Sequence, residues 1–410
     1  IISFLPLSII LGNLIFQILI IFIIISSLLF LLASKNKYNF FDDKKEIIIF
    51  LIIILYLGIN TMVSEDWTRS IRRNFFYFQF FLLLLSLRYM LINPIILKRV
   101  IFNWFIIICF VSFDIFFESY FGFNMLGFSN ETGYTGRVVS FFKDELIVGS
   151  FILSFLIPIF SYFYINNKFK LSLFFIFLSL FSIFLSGERA SSIKILLALS
   201  IIFLFWNYRN YLKKYILSIL IIITLIISFN PFFKESNFVQ HNLIHKYFTT
   251  TLKILSTDTE KTFRENLIDS RYLNQAVFSY EIFKQNPYFG VGNKNYLLAC
   301  GKYANDYDPN LCFTHAHQTY YELIAEHGLV GSTLIVSALF FLIFFNKTNN
   351  LNINNKKKLI IFRIFLILSF LPLIPSGSFF SSYMSSLFWI NYCFYTIYRN
   401  QLINYQQLKN

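Results

Sequence analysis

Residues able to do chemistry gather in a few short polar segments of an otherwise apolar chain. Two carry arginines beside acids: Gly136–Glu145, with Arg137 and Glu145, and Ser186-Gly187-Glu188-Arg189-Ala190-Ser191-Ser192. A third holds Asp269-Ser270-Arg271 and, further on, Asn286-Pro287-Tyr288-Phe289-Gly290-Val291-Gly292. The fourth, Thr314-His315-Ala316-His317-Gln318-Thr319-Tyr320-Tyr321-Glu322, runs into Glu326-His327-Gly328-Leu329-Val330-Gly331. A guanidinium is a planar fork of donors that matches two oxygens of a diphosphate. Arg189 lies in a turn between two apolar stretches, where its charge must snorkel to lipid phosphate or meet another anion. Arg271 opens an expected helix, whose free N–H groups also favour anions; an exposed surface charge is the plainer use. Neutral imidazole near pH 7 is suited to take a proton from a hydroxyl. Thr314 as N-cap would set His315 and His317 at the first turn of a helix. Such a pair serves structure as often as chemistry, and without i, i+4 partners no metal is expected on it. Glu145, Glu188, His315 and Gln318 are secondary candidates beside Arg137, Arg189 and His317.

Other polar groups read more simply. Asp306-Tyr307-Asp308 resembles the metal-binding acidic motif of nucleotide-sugar transferases, but its turn-rich surroundings make it a solvated loop. Asp114 and Glu118, four apart on one helix face, are expected to pair with Arg137 or another arginine on the same side. Cys109 and Cys393 lie in apolar runs as core residues. Cys300 and Cys312 share one loop, where a disulfide is open to them; zinc is not expected without further ligands.

The elements that must carry these residues are membrane helices. The 410 residues are 57% hydrophobic and 14% charged, with mean hydropathy +0.62, more apolar surface than a soluble fold can hide. Runs such as Leu14–Leu32 and Tyr215–Phe229 approach the ~20 residues that cross the bilayer as helix. Alternating strands of a β-barrel are absent from the pattern. The abundance of Phe, at 56 residues, accompanies Ile, Asn and Lys as in an AT-rich genome, so it marks no aromatic binding box. The fold class expected is an all-α polytopic membrane protein of about 12 transmembrane helices. Its spans fall near 1–12, 14–33, 47–63, 74–93, 99–119, 147–165, 171–186, 190–206, 215–233, 317–346, 359–375 and 379–397. Residues 1–233 form the first transmembrane bundle, 234–316 a helical lid, and 317–410 a second bundle with a tail. In the lid, Leu267, Tyr272, Leu273, Ala276, Val277 and Tyr280 predict an amphipathic helix that Asn286-Pro287 ends. The chain opens on Ile1 inside an apolar run, so a short preceding stretch is expected and a cleaved signal peptide is not.

Placement of charge sets sidedness. The net charge of +14 concentrates in alternate short loops, through Lys35, Lys37, Lys44, Lys45, Lys98, Arg99, Lys168, Lys170, Arg209, Lys213, Lys214, Lys347 and Lys356–Lys358. By the positive-inside rule these loops are cytoplasmic, both termini with them. The charge thus serves topology and anionic headgroups, not nucleic acid. The four chemical segments then share the outer side. A transporter would instead place its polar site near the midplane, where the spans are nearly free of charge apart from candidates such as Arg88, Lys194 and Arg363.

In order and sidedness these segments resemble the O-antigen ligase and O-antigen polymerase superfamily of bacterial envelope glycan transferases. The resemblance rests on Ser186–Arg189, Arg271, Asn286–Gly292, His317–Tyr321 and Glu326–Gly331, with Gly136–Gly149 as the Arg-bearing turn before a span. Gln318 stands where the family has Asn, and Tyr321 where it has Leu; alignment on Glu326–Gly331 favours His317 over His315. The resemblance implies a glycosyltransferase C-like membrane fold in the bacterial inner membrane, with its site facing the periplasm. The implied donor is a glycan on undecaprenyl diphosphate. Arg189, Arg271 and Arg137 would bind the diphosphate, and His317 would deprotonate the attacking hydroxyl with inversion, needing neither cofactor nor metal. The implied acceptor is lipid A core, in lipopolysaccharide biosynthesis, or a growing glycan if the chain is a polymerase; protein O-glycosylation is a further route.

Overall fold

A computed structural model describes residues 1–33, 44–129, 137–143, 145–205, 274–303, 312–344, 351–372 and 374–407. The regular elements among them are helices: α1 (Leu5–Ile10), α2 (Asn13–Ala33), α3 (Lys44–Met62), α4 (Trp67–Leu91), α5 (Pro94–Phe121), α6 (Val148–Ile165), α7 (Phe169–Leu185) and α8 (Arg189–Phe205). Then follow α9 (Asn274–Gln285), α10 (Tyr296–Tyr303), α11 (Thr319–Phe344), α12 (Ile353–Leu368) and α13 (Ser382–Gln407). Six of them, α2 to α6 and α11, are long and apolar enough to cross a membrane, and α7 is a shorter apolar helix. The chain is a multi-pass membrane protein. The expected span at 1–12 is instead a 3-10 turn, Ile2–Phe4, and the six-residue α1, about 9 Å of helix. The expected span at 215–233 lies outside the described residues.

Polar signals set the helix ends on the side of the chemistry. Asp66 caps α4 by accepting from the Thr68 and Arg69 amides. Gly122, at φ 80°, closes α5 in the left-handed conformation that a glycine adopts without strain. Near the start of α3 and the end of α4, Arg88 forms a bidentate pair with Glu46 at 2.6 and 2.7 Å, and Tyr392 from the interior of α13 donates to the same carboxylate. Breaking such a buried pair costs about 3–5 kcal/mol, so Arg88 is a tie between helices. Arg363 donates to the Tyr395 hydroxyl at 3.1 Å. Two of the mid-span charges that a transporter would use are therefore occupied in helix packing.

The feature that positions the site is a break in α11. Gly328 (φ 60°, ψ −163°) leaves the helical path, so the Leu329 and Val330 amides cannot reach Ala325 and Glu326 one turn back. The loop Asn286–Gly292 fills both broken rungs. Leu329 N donates to Pro287 O at 2.8 Å and Val330 N to Tyr288 O at 3.0 Å. The freed carbonyls of Ala325 and Glu326 accept from Val291 N (3.1 Å) and Gly292 N (2.9 Å). Away from water each of these groups left unpaired would cost about 1–3 kcal/mol. Such close approach excludes side chains: a Cβ at Gly290 would sit 2.4 Å from Glu326 C, and one at Gly328 2.5 Å from Tyr288 O.

Around this splice sits a small outer unit. Phe278, Ile282, Val291, Tyr296, Ala299, Cys300, Ala316 and Ala325 form a buried cluster of their own, and Cys300 and Cys312 are joined in a disulfide. The helix expected before Asn286 is α9, but its buried face differs from the expected one. Tyr280 is exposed, whereas Asn274, Gln275, Phe278, Ser279 and Ile282 are buried. Polar groups stand on that face because Gln275 Oε1 accepts from the buried Tyr296 hydroxyl at 2.8 Å.

Gly290→Ala and Gly328→Ala should each destabilise the protein by about 2–4 kcal/mol, from left-handed strain plus overpacking. Gly301→Ala, inside α10 and meeting open space, should unfold at or slightly above the wild-type midpoint. Thermal unfolding in detergent checks this; three equal midpoints would refute it.

Candidate functional site

Helix α11 begins two residues beyond His317, at Thr319. Gln318, not Thr314, supplies the cap: its Oε1 accepts from the Tyr320 and Tyr321 amides at 2.7 and 3.0 Å. Thr314 instead bonds His315 Nδ1 at 3.1 Å. Gln318 is buried, and its amide oxygen is committed to the helix end. His317 stands just before it with φ 49°, a strained conformation outside glycine that surrounding contacts must enforce. Its carbonyl accepts from Ser376 N at 2.8 Å. The rings of His315 and His317 lie 4.2 Å apart, and Phe313 packs on His317 at 5.2 Å. Burial, then His317, then Lys294 push His315 down to about 4, so it is neutral at pH 7 and a weak base.

Glu322 and Glu326 project one turn apart from the first half of α11, both buried. Each grips a loop. Glu322 Oε2 accepts from Phe379 N and Glu326 Oε1 from Tyr296 N, both at 3.0 Å. Two cations face them: Arg73 from α4, which donates to Phe380 O at 2.9 Å, and Lys294, acted on by both carboxylates. The segment bearing Lys294 is clasped to α3 and α4. Asn293 N donates to Asn60 Oδ1 (2.9 Å), Asn293 Nδ2 to Asn74 Oδ1 (2.7 Å), and Ser70 Oγ to Asn293 O (2.9 Å).

A second cluster holds the other expected residues. Glu188 accepts from Gly149 N (2.8 Å), Ser150 N (2.9 Å) and Ser191 Oγ (2.8 Å). It therefore closes the start of α6, where free amides and the helix dipole favour a carboxylate. Burial raises its pKa, opposed by the Ser191 bond and by Arg137 nearby. Arg137 thus faces Glu188. Asp114 and Glu118, expected to pair with an arginine, bind backbone: Asp114 accepts from Met125 N (2.8 Å), Glu118 from Val139 N (3.1 Å) and Ser140 N (2.6 Å). Those bonds fix the turn that carries Arg137. Arg189 is the first residue of α8, half-buried beside this cluster, and Glu145 is exposed.

The two clusters meet through one connector. Ser376–Phe380 holds His317, Glu322 and Arg73, and Tyr383 just beyond lies 3.2 Å from Ser150 Oγ. That is at most about 25 Å of extended chain. Arg271 and Asp306–Asp308 lie outside the described residues. Sequence reasoning passed over Arg73, Lys294 and the connector, and gave Glu322, named within the fourth segment, no role of its own. The available signal was Ser376-Gly377-Ser378, polar residues between two apolar stretches. Among the described residues no group of three or more His, Cys, Asp or Glu is gathered to hold a metal.

Residues 174–336 match the family model described as O-antigen ligase. This segment is similar to the O-antigen ligase domain. It spans Arg189, Arg271, the spliced loop and the whole of His315–Gly331, while Arg137 and the Ser376–Tyr383 connector lie beyond it. The match relates the chain to the O-antigen ligase superfamily and to its ligases and polymerases alike. No curated protein matches the chain significantly.

One pH dependence follows from the segment so matched. Because His315 titrates near 4 when folded against an ordinary 6.5, the unfolded chain binds the extra proton between those values. Stability from this group is complete above pH 6.5 and lost as pH falls toward 4. His315→Asn should therefore lose less thermal stability than wild type between pH 7 and pH 5; parallel losses would contradict it.

Proposed function

We propose that this protein transfers a glycan from undecaprenyl diphosphate to an acceptor hydroxyl on the periplasmic face of the inner membrane, as an O-antigen ligase acting on lipid A core. The observation that carries the reading is the place of His317, its carbonyl bonded to Ser376 N two residues before α11 and inside the O-antigen ligase match. Alignment of the motif on Glu326–Gly331 favours His317 over His315, and the depressed pKa of His315 makes that ring a weak base.

In the proposed step, His317 takes the proton of the acceptor hydroxyl as its oxygen bonds to the anomeric carbon. The bond from that carbon to the diphosphate oxygen breaks, and undecaprenyl diphosphate leaves with inversion. Arg189 and Arg271, with Arg137 near the same cluster, hold the diphosphate and stabilise its growing charge. The donor is already activated, so the step needs neither nucleotide nor metal. Residues 234–316 act as the lid that admits the acceptor. Glu188 and Gln318 serve the frame, through the α6 start and the α11 cap.

Deletion in the source bacterium, followed by gel analysis of its lipopolysaccharide, tests the acceptor. Loss of all O-chain with lipid-linked polymer accumulating supports ligation. A core bearing one repeat means polymerase, and an unchanged pattern refutes both. In membranes of the deleted strain, His317→Ala should lower transfer by about 10²–10⁴-fold with donor KM little changed. Arg189→Ala and Arg271→Ala should raise donor KM and lower kcat together. An active His317→Ala beside a dead His315→Ala would move the base to the other imidazole.

A further inference from the structure

The imidazole pair has no regular structure of its own to hold it, since α11 begins only at Thr319. What holds it is the connector Ser376–Phe380. Ser376 N donates to His317 O at 2.8 Å, and the Ser376 and Thr319 hydroxyls meet at 2.9 Å. A backbone at φ 49° costs about 1–3 kcal/mol in a residue with a side chain, so His317 keeps it only while such contacts persist. The connector is irregular backbone, and it is anchored from below. Glu322 Oε2 accepts from Phe379 N at 3.0 Å, Ser378 lies beside the same carboxylate, and Arg73 grips Phe380 O. Ser385 Oγ donates to Phe379 O at 2.7 Å from the start of α13.

We infer that Glu322 is a positioning residue for the transfer reaction, setting the placement of His317 through the Ser376–Phe380 connector. Glu322 lies on α11, one turn and a half beyond His317, yet its own bond runs to the connector that returns to the histidine. The path is Glu322 to Phe379 amide, along the connector to Ser376, and from its amide to the His317 carbonyl. What this role requires of Glu322 is an acceptor oxygen at Phe379 N; a glutamine supplies one in the same place, and an alanine does not.

The inference rests on His317 being the base, and the experiment separates the two. Wild type, Glu322→Gln, Glu322→Ala, Ser378→Ala and His317→Ala are purified as full chains in detergent and assayed on a lipid-diphosphate glycan, with kcat, donor KM and the pH profile of kcat measured per folded protein. Glu322→Ala should lower kcat about 10–100-fold with donor KM within about threefold. Glu322→Gln should recover most of that loss, and the acid limb of the pH profile should stay where wild type has it in both. Ser378→Ala, a milder change beside the same oxygen, should fall between wild type and Glu322→Ala, and it keeps the test alive if Glu322→Ala does not fold. Equal losses in Gln and Ala, or a displaced acid limb, would show that the charge acts instead of the acceptor. Wild-type kcat in Glu322→Ala with a dead His317→Ala would sink the inference alone; an active His317→Ala would sink the reading on which it rests.

Discussion

The arrangement depends on two missing hydrogen bonds in α11. A membrane helix that breaks must satisfy the freed amides and carbonyls within the protein, because lipid offers no partner. Here the break at Gly328 is completed by Pro287, Tyr288, Val291 and Gly292, which take both orphaned rungs. The outer loop and the helix are thereby one backbone unit. The short first half of α11, with His317 two residues before it and Glu322 and Glu326 along it, is held at a fixed angle to the span that follows.

From that splice the other contacts radiate. Asn293 and Asn295 continue the loop across α3 and α4 through Asn60, Ser70 and Asn74. The disulfide ties the approach to His315 onto α10. Glu326 grips the amide that starts α10, and Glu322 grips the connector before α13. The buried acids thus act as fasteners between loops. On the far side of the connector, Glu188, Asp114 and Glu118 use carboxylates in the same way, each collecting backbone amides to shape the turns around Arg137 and Arg189.

Much of this was legible in sequence, and the rest failed for identifiable reasons. The apolar runs announced membrane helices and Asn286-Pro287 the end of a helix, whereas the break at Gly328 fell inside an expected continuous span, 317–346. That the two glycine motifs dock on each other was not legible, since nothing local says which backbone a glycine lets approach. Thr314 looked like a cap by type; the helix began later because Gln318 could reach the Tyr320 and Tyr321 amides. Asp114 and Glu118 suggested arginine partners by charge, but backbone amides fill the same need. The face of α9 was misplaced because buried Gln275 and Ser279 read as polar, although Gln275 meets Tyr296 inside. Arg73 and Glu322 carried no spacing signal at all, being brought together with the connector by tertiary packing.

The central claim is that a lipid-diphosphate glycan is passed to an acceptor hydroxyl at this site. Its most direct test is the purified protein in lipid nanodiscs with a defined undecaprenyl-diphosphate oligosaccharide and lipid A core, the product analysed by NMR at the new anomeric centre. The account predicts a product of inverted configuration with one undecaprenyl diphosphate released per transfer, in the presence of EDTA. Retained configuration, release of undecaprenyl monophosphate, or no transfer to lipid A core or to a growing glycan would contradict it.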